Sequence, residues 1–349
     1  MWLCVLLMLA SGFFLAGQTS LSAALCINGV NCGAMVQRGV GELLAVGNGD
    51  VYQLELIERW WWSSDQTAPL VQQGFLGTPA SLPFHSLYGL GEPDSQLPML
   101  AFLGAALFFL SGLWAGGLLF ATALLVGAWT WSGAIEASPS LFFACGSLLV
   151  WVGLKRQMGA VAALGLVFVS FRLEWVLWGL LLLGFQRQWK ILLAAGLATA
   201  GLWWGASMFW GPGLTEQWLL ALHAPPDQVQ PGLGLIGIVP GNSGTIIPYW
   251  WVLYAGAVAA FWRFCVGMKP ADAWAFSLAV TLWMSPQIQL VDYALLSPLF
   301  VAFFPKPERV ALFFGLGFCV LAFVGILSLV PVFVGYGIYL STQQVHSEL

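Results

Sequence analysis

Charged residues are scarce in this sequence. Only 7 % of its 349 residues are Asp, Glu, Lys or Arg, whereas a soluble domain carries about 25 %. This scarcity excludes an ordinary soluble globular protein. The net charge is −4 and no basic run occurs, so nothing favours nucleic-acid binding. With three His and no paired His or Cys ligand spacing, the sequence predicts neither a metal site nor a cofactor.

Apolar residues fill most of the chain instead. They make up 60 % of it and 20 residues are Trp, while the mean hydropathy is +0.86. We therefore predict an all-α polytopic membrane protein that forms a single transmembrane domain over 1–349. The first apolar run lacks the positively charged start of a secretory signal, so we expect it to stay as a helix. The runs of helical length are 1–17, 98–118, 119–134, 139–154, 191–210, 248–265 and 310–333.

Basic residues orient these runs. Only Arg38 and Arg59 fall within 18–97, whereas eight basic residues at the ends of the apolar runs can share one side. The positive-inside rule puts those eight in the cytoplasm and makes 18–97 and 211–247 extracytoplasmic loops. The predicted location is therefore the cytoplasmic (inner) membrane. The eight residues are Lys155, Arg156, Arg187, Lys190, Arg263, Lys269, Lys306 and Arg309.

Two segments are too short to cross the membrane twice. Arg156 and Arg187 share a side, yet two full spans between them would need about 40 residues. We predict a re-entrant-type hairpin of helices 158–170 and 174–186, with Arg172 and Glu174 near its tip.

A second such hairpin lies between Lys269 and Lys306, where Pro286 breaks the helix. Gln287, Gln289 and Asp292 are expected to be exposed at its turn. Because irregular backbone at membrane depth needs protein or water around it, we expect both tips to face an extracytoplasmic cavity.

Ionisable residues at membrane depth usually have a function. Arg172, Glu174 and Asp292 qualify, and two interpretations stay open. Arg172 pairs with Glu174 or Asp292 and so holds the hairpins together, or its guanidinium binds a phosphate group.

The two extracytoplasmic loops also hold candidate residues. Asp50 precedes an amphipathic stretch in "GNGDVYQLELIERWWW", which predicts a helix lying in the membrane interface. Asp50 caps that helix or serves a reaction. His85 is expected to be a loop or interface residue rather than a catalytic base. Trp218 and His223 lie in the other loop, which either contacts an acceptor or simply covers the bundle. Cys26 and Cys32 can form a disulfide if their loop is extracytoplasmic.

Three segments, in this order, carry a resemblance to a known family. They are "GDVYQLE" at Asp50, Arg172 followed by "LLLLGFQRQWK", and "SPQIQLVDYALLSP". The set resembles glycosyltransferase family 87, the polyprenol-phosphate-mannose-dependent mannosyltransferases of the GT-C superfamily. Gln287 stands where the family has His, and Arg172 replaces its common Lys. The resemblance implies a GT-C-like bundle of about nine to eleven transmembrane or partly spanning helices, with an extracytoplasmic loop helix.

The resemblance also implies a reaction. A sugar, mannose in the family, moves from a polyprenyl-phosphate donor to a lipid or glycan acceptor on the extracytoplasmic side, with Asp50 as the general base and without a metal. The implied substrate-binding residues are Tyr52, Arg172, Glu174, Gln287, Gln289 and Asp292. Membrane lipids are the expected surroundings, and nucleic acid is not an expected partner. The alternatives are a catalytically inactive GT-C-fold subunit of a larger membrane complex, or a lipid or solute transporter.

Overall fold

A computed structural model describes residues 33–53, 56, 77–91, 93–135, 138–223, 250–284 and 290–324. Within these ranges the chain forms 14 α-helices and no β-strand, which confirms the all-α prediction. The predicted helix 1–17 and the Cys26–Cys32 pair lie outside the described residues, as do Gln287, Gln289 and most of the helix expected after Asp50.

The helices follow one another with short connections. In chain order they are α1 (Gly33–Ala45), α2 (Leu82–Ser86), α3 (Pro93–Gly116), α4 (Leu118–Val126), α5 (Ala128–Ile135), α6 (Ser140–Lys155), α7 (Gly159–Val169), α8 (Leu173–Phe185), α9 (Trp189–Trp210), α10 (Leu214–His223), α11 (Trp250–Gly267), α12 (Pro270–Met284), α13 (Ser297–Phe303) and α14 (Pro307–Val324). Short 3-10 segments occupy Pro79–Ser81, Leu87–Gly89, Ser170–Arg172 and Leu290–Leu296.

Two helices are long and apolar enough to cross a membrane. They cover Gln96–Gly116 in α3 and Trp189–Trp210, the whole of α9. The remaining apolar helices are shorter, among them α6, α8 and the α7 segment extended to Arg172. Length and composition alone carry this finding, so a polytopic membrane protein stays a prediction.

The first predicted hairpin corresponds to two helices, and all four helix ends lie within one residue of the prediction. These are α7 and α8, joined by the 3-10 segment Ser170–Arg172. The two helices pack mainly on other partners: α7 on α6 and α9, and α8 on α12. The contact between α6 and α7 is close, because a Cβ on Gly165 would lie 2.5 Å from the Gly146 carbonyl oxygen. Glycines therefore bring these two backbones together, as in many membrane helix pairs.

The predicted helix 119–134 is divided in two at Gly127. The Leu124 carbonyl accepts from the Trp129 indole at 3.0 Å and from the Thr130 hydroxyl at 2.7 Å. Side-chain donors thus bind a carbonyl near the end of α4, and Gly127 adopts an extended ψ of 144°. The Trp129 ring fills the space beside Gly127, where a Cβ would lie 2.4 Å from it.

Helix α1 was not expected within the loop 18–97. Its Val40 and Leu44, one turn apart, are buried, and Gly41 lies against Gly89 with no room for a Cβ. Arg38 is buried, forms an ion pair with Glu42 and donates to the Tyr88 carbonyl at 3.0 Å. These contacts attach α1 to the segment that leads into α3.

Candidate functional site

Both predicted hairpin tips contact the first turn of α6. At the second tip, the Ser140 hydroxyl donates to Asp292 Oδ1 at 2.7 Å. At the first tip, the Phe171 ring meets Phe143 edge to face, with 6.2 Å between centroids. Because Ser140 and Phe143 lie in one helical turn, the two tips are neighbours.

Asp292 lies deeper than expected. It was predicted to be exposed at the turn, yet only 3 % of it is accessible, so that prediction is wrong. A buried carboxylate needs a hydrogen-bond donor, and Ser140 supplies one. Asp292 therefore ties the second tip to α6, and a role for it in sugar binding stays a prediction.

Arg172 lies at the first tip over an aromatic ring. Its guanidinium carbon is 4.0 Å from the Trp175 ring centroid, a cation–π geometry. Trp175 is buried, so the platform under the charge is rigid. Arg172 also precedes α8, whose N-terminus carries a partial positive charge, and Glu174 follows in the first turn. The guanidinium and the helix end both favour an anion at this corner.

His85 lies beside this corner in α2. Its ring stacks on Tyr88 with 6.0 Å between centroids, and the Phe84 ring meets it edge to face at 5.7 Å. Burial, and secondarily the charge of Arg172, lower the pKa of His85 to about 3. The imidazole is therefore neutral at physiological pH, and Arg172 has no second positive charge beside it. His85 is therefore a buried packing residue, whereas a loop or interface residue was expected.

Asp50 lies at the same end of the bundle. The Gln217 side-chain Nε2, on α10, donates to Asp50 Oδ1 at 2.7 Å. Asp50 Oδ2 has no hydrogen-bond partner among the residues that the structure describes. The Gln53 N–H donates to the Asp50 backbone carbonyl at 3.0 Å. The N-cap interpretation stays a prediction, because most of the helix expected after Asp50 lies outside the described residues.

The Asp50 loop rests on the end of α9. A Cβ on Gly49 would lie 2.2 Å from the Trp210 carbonyl oxygen, and the Trp210 indole donates to the Leu44 carbonyl at 2.8 Å. Helix α10 is held to α9 in turn, because the Trp203 indole donates to Thr215 Oγ1 at 2.9 Å. The carboxylate of Asp50 is therefore attached to two elements of the bundle.

Tyr52 connects the Asp50 loop to the first tip. Its hydroxyl donates to the Gly77 carbonyl at 2.8 Å, and the next residue, Thr78, donates its N–H to the Phe171 carbonyl at 3.0 Å. Tyr52 is buried, and this burial raises the pKa of its hydroxyl, which stays protonated. Within the described residues, Tyr52 thus serves as a connector between loop and tip.

An apolar groove of about 680 Å³ runs beside this site along α8 and α9. It extends from Leu181 and Leu192 to Ser207, which is about 22 Å along α9 at 1.5 Å per residue. Apart from the Trp indoles, its polar side chains are Ser170 and Thr199 at mid-length and Ser207 at one end. Ser170 Oγ and Thr199 Oγ1 are 3.2 Å apart. The groove leads to the tip that carries Arg172.

The structure brings some of the predicted site residues together and leaves others apart or outside the described residues. Asp50, Tyr52, Arg172 and Asp292 are linked at one end of the bundle by the contacts above. Glu174 lies at the start of α8, while Gln287 and Gln289 fall outside the described residues.

Sequence reasoning missed Gln217 and Ser140, whose partners are 167 and 152 residues away. No local pattern marks either residue. Trp218, expected on the acceptor side, is buried and stacks edge to face on Trp203 at 5.3 Å. The described residues contain no group of three or more His, Cys, Asp or Glu that holds a metal ion.

No protein-family profile matches the chain, and neither a curated protein nor a solved structure matches it. The resemblance to glycosyltransferase family 87 therefore rests on the quoted segments alone.

Proposed function

We propose that the chain is an integral-membrane glycosyltransferase of the inner membrane. It moves a sugar, mannose in our proposal, from a polyprenyl-phosphate donor to a lipid or glycan acceptor on the extracytoplasmic side. Asp50 is the general base, and Arg172 binds the donor phosphate. One observation carries the proposal: the groove along α8 and α9 leads to the tip with Arg172, and that tip is connected to the Asp50 loop.

The groove suits the hydrocarbon chain of a lipid donor. Its walls are mostly Leu, Ala and Trp side chains, and no hydroxyl group lines the end near Leu181 and Leu192. In the candidate span of α9, 11 % of the residues are buried, so a lipid has lateral access from a bilayer. An isoprenoid in the groove would bring its phosphate to Ser170. A guanidinium suits phosphate there because its fork of donors matches two phosphate oxygens.

The proposed reaction is a direct displacement. Asp50 Oδ2 takes the proton of the acceptor hydroxyl, and the freed oxygen attacks the anomeric carbon. The bond from that carbon to the phosphate oxygen breaks, and its electron pair leaves with the lipid phosphate. Arg172 stabilises this developing negative charge. A general base must approach the proton to about 3 Å, so the acceptor has to enter beside the Asp50 loop.

The other predicted residues support these two. Tyr52 and Asp292 hold the loop and the second tip through Gly77 and Ser140. Glu174, Gln287 and Gln289 are proposed to bond the sugar. The proposed sidedness puts Asp50 outside, and Lys155 and Arg187, at the opposite ends of α6 and α8, in the cytoplasm.

The test is sugar transfer in proteoliposomes with polyprenyl-phosphate mannose. Asp50→Asn should abolish transfer, because the amide is no base, while its oxygen still accepts from Gln217. Arg172→Ala should weaken donor binding at least tenfold, the effect of losing a charge-assisted contact. The matched control is Arg156→Ala, since Arg156 also lies over an indole, that of Trp114 at 5.6 Å. Full transfer by Asp50→Asn would remove the proposed base.

One observation favours a second candidate, an inactive subunit of a membrane complex. A Cβ on Gly201 or Gly205 of α9 would meet nothing within 4 Å. Two glycines four residues apart suit close packing by a partner helix. A partner that copurifies in a fixed ratio, together with absent transfer, would establish this candidate.

A further inference from the structure

Among the described residues, the Gln217 side chain makes one hydrogen bond and leaves its carbonyl oxygen without one. Its Nε2 donates to Asp50 Oδ1 at 2.7 Å. A carboxylate only accepts, so this bond sets which end of the amide faces Asp50. The carbonyl oxygen Oε1 is buried and has no partner within the described part of the chain. A buried carbonyl without a partner is costly, and such groups often mark a ligand site.

Two acceptors without a hydrogen-bond partner in the described part of the chain therefore belong to one hydrogen-bonded pair of side chains. One is Asp50 Oδ2, and the other is Gln217 Oε1 on the amide that holds Asp50. A ligand that satisfies both must bring two donors a short distance apart. Neighbouring hydroxyl groups of a sugar do so, whereas a lipid alcohol with a single hydroxyl does not.

Helix α10 holds this pair in a defined place. The Thr215 hydroxyl accepts from the Trp203 indole at 2.9 Å, and Trp218 packs on the same ring. The residues on both sides of Gln217 are thus attached to α9, so its amide is presented to Asp50 by a rigid element. Rigid support is what a base needs in order to keep its alignment.

We infer that Gln217 is the positioning residue of Asp50, and that its Oε1 binds a second acceptor hydroxyl next to the one that reacts. The acceptor is therefore a sugar with two adjacent free hydroxyls. This inference rests on the proposed function, because it assigns the acceptor of the same site.

The first experiment does not depend on transfer. A water-soluble carbodiimide labels Asp50 in the full chain in nanodiscs, and mass spectrometry measures the rate. Methyl α-D-mannopyranoside should slow labelling, whereas its fully O-methylated derivative should not. In Gln217→Leu the half-protecting concentration should rise about fivefold, the effect of one lost neutral hydrogen bond. Glu216→Gln, an exposed neighbour on α10, is the matched control and should behave as wild type.

The second experiment separates positioning from simple structure. Gln217→Glu keeps an acceptor oxygen and replaces the amide donor with a carboxyl group that shares a proton with Asp50, so Asp50 is no longer held as a free base. Its KM for an octyl mannoside acceptor should stay within about twofold of wild type, while kcat falls at least tenfold. Gln217→Leu should raise KM and lower kcat.

The outcomes separate the two proposals. Equal protection in wild type and Gln217→Leu, or none in either, overturns the inference, as does an equal effect of Glu216→Gln. Protection that depends on Gln217, without any transfer from polyprenyl-phosphate mannose, supports the sugar site and overturns the transferase. Sugar transfer that is lost in Asp50→Asn but unchanged in Gln217→Leu supports the transferase and overturns the inference.

Discussion

Replacing His85 should make the fold less sensitive to acid. The residue is 2 % exposed and lies in α2 between Phe84 and Tyr88. Burial and the nearby Arg172 charge lower its pKa from 6.5 to about 3. The folded chain therefore keeps a neutral imidazole at pH values where the unfolded chain binds a proton.

The sign and size of the effect follow from this difference. Between pH 6.5 and pH 3 the unfolded state holds one more proton at His85 than the folded state. His85 therefore does not lower the free energy of unfolding above pH 6.5. Below that pH the free energy of unfolding falls as the pH is lowered towards the folded-state pKa. Within this range each pH unit lowers the free energy of unfolding by about 1.4 kcal/mol. At pH 4.5 the loss from His85 is roughly 3 kcal/mol.

The assay compares wild type and His85→Gln in reversible unfolding by SDS in mixed micelles, at pH 7.5 and pH 4.5. The carboxyl groups titrate in both proteins, so their contribution cancels in the difference. Between the two pH values, wild type should lose roughly 3 kcal/mol more free energy of unfolding than His85→Gln. Equal losses in the two proteins would refute a buried, neutral His85.

Two further predictions concern close packing and buried charge. Gly165→Ala should destabilise the fold by about 1–3 kcal/mol, because the added Cβ would collide with α6. Gly201 has open space around it, so Gly201→Ala should be neutral or stabilise the fold by up to ~1 kcal/mol. Thermal unfolding measures both, and equal effects would contradict the packing of α6 on α7. Arg38→Ala should lower the free energy of unfolding more than Glu42→Ala. It removes the donors to Glu42, to the Tyr88 carbonyl and to Gln96, whereas in Glu42→Ala the guanidinium keeps the last two acceptors. A larger loss in Glu42→Ala, in the same assay, would contradict this order.

Long apolar runs were predictable, and their interruptions were not. Helices α3, α6 and α9 begin and end within a few residues of the predicted runs, because apolar length is visible along the chain. The break at Gly127 depends on where the Trp129 and Thr130 side chains turn. Helix α1 was missed because it is only 13 residues long and its apolar residues alternate with polar ones such as Arg38 and Glu42.

The candidate site shows the same division. The distribution of charge pointed to Asp50 and Arg172 on one side of the protein, and the structure links the elements that carry them. The burial of Asp292 was not predictable, because it depends on Ser140, which is 152 residues away.

The sequence by itself determined that this chain is helical, where most of its apolar helices run, and which few ionisable residues are candidates for chemistry. Hydrophobicity and charge are properties of single residues and short segments, so they are visible without a fold. Only the tertiary structure decided that Gln217 holds Asp50, that Ser140 binds Asp292, and that a groove leads to Arg172. Hydrogen bonds and cavities join distant parts of the chain, and packing alone brings those parts together.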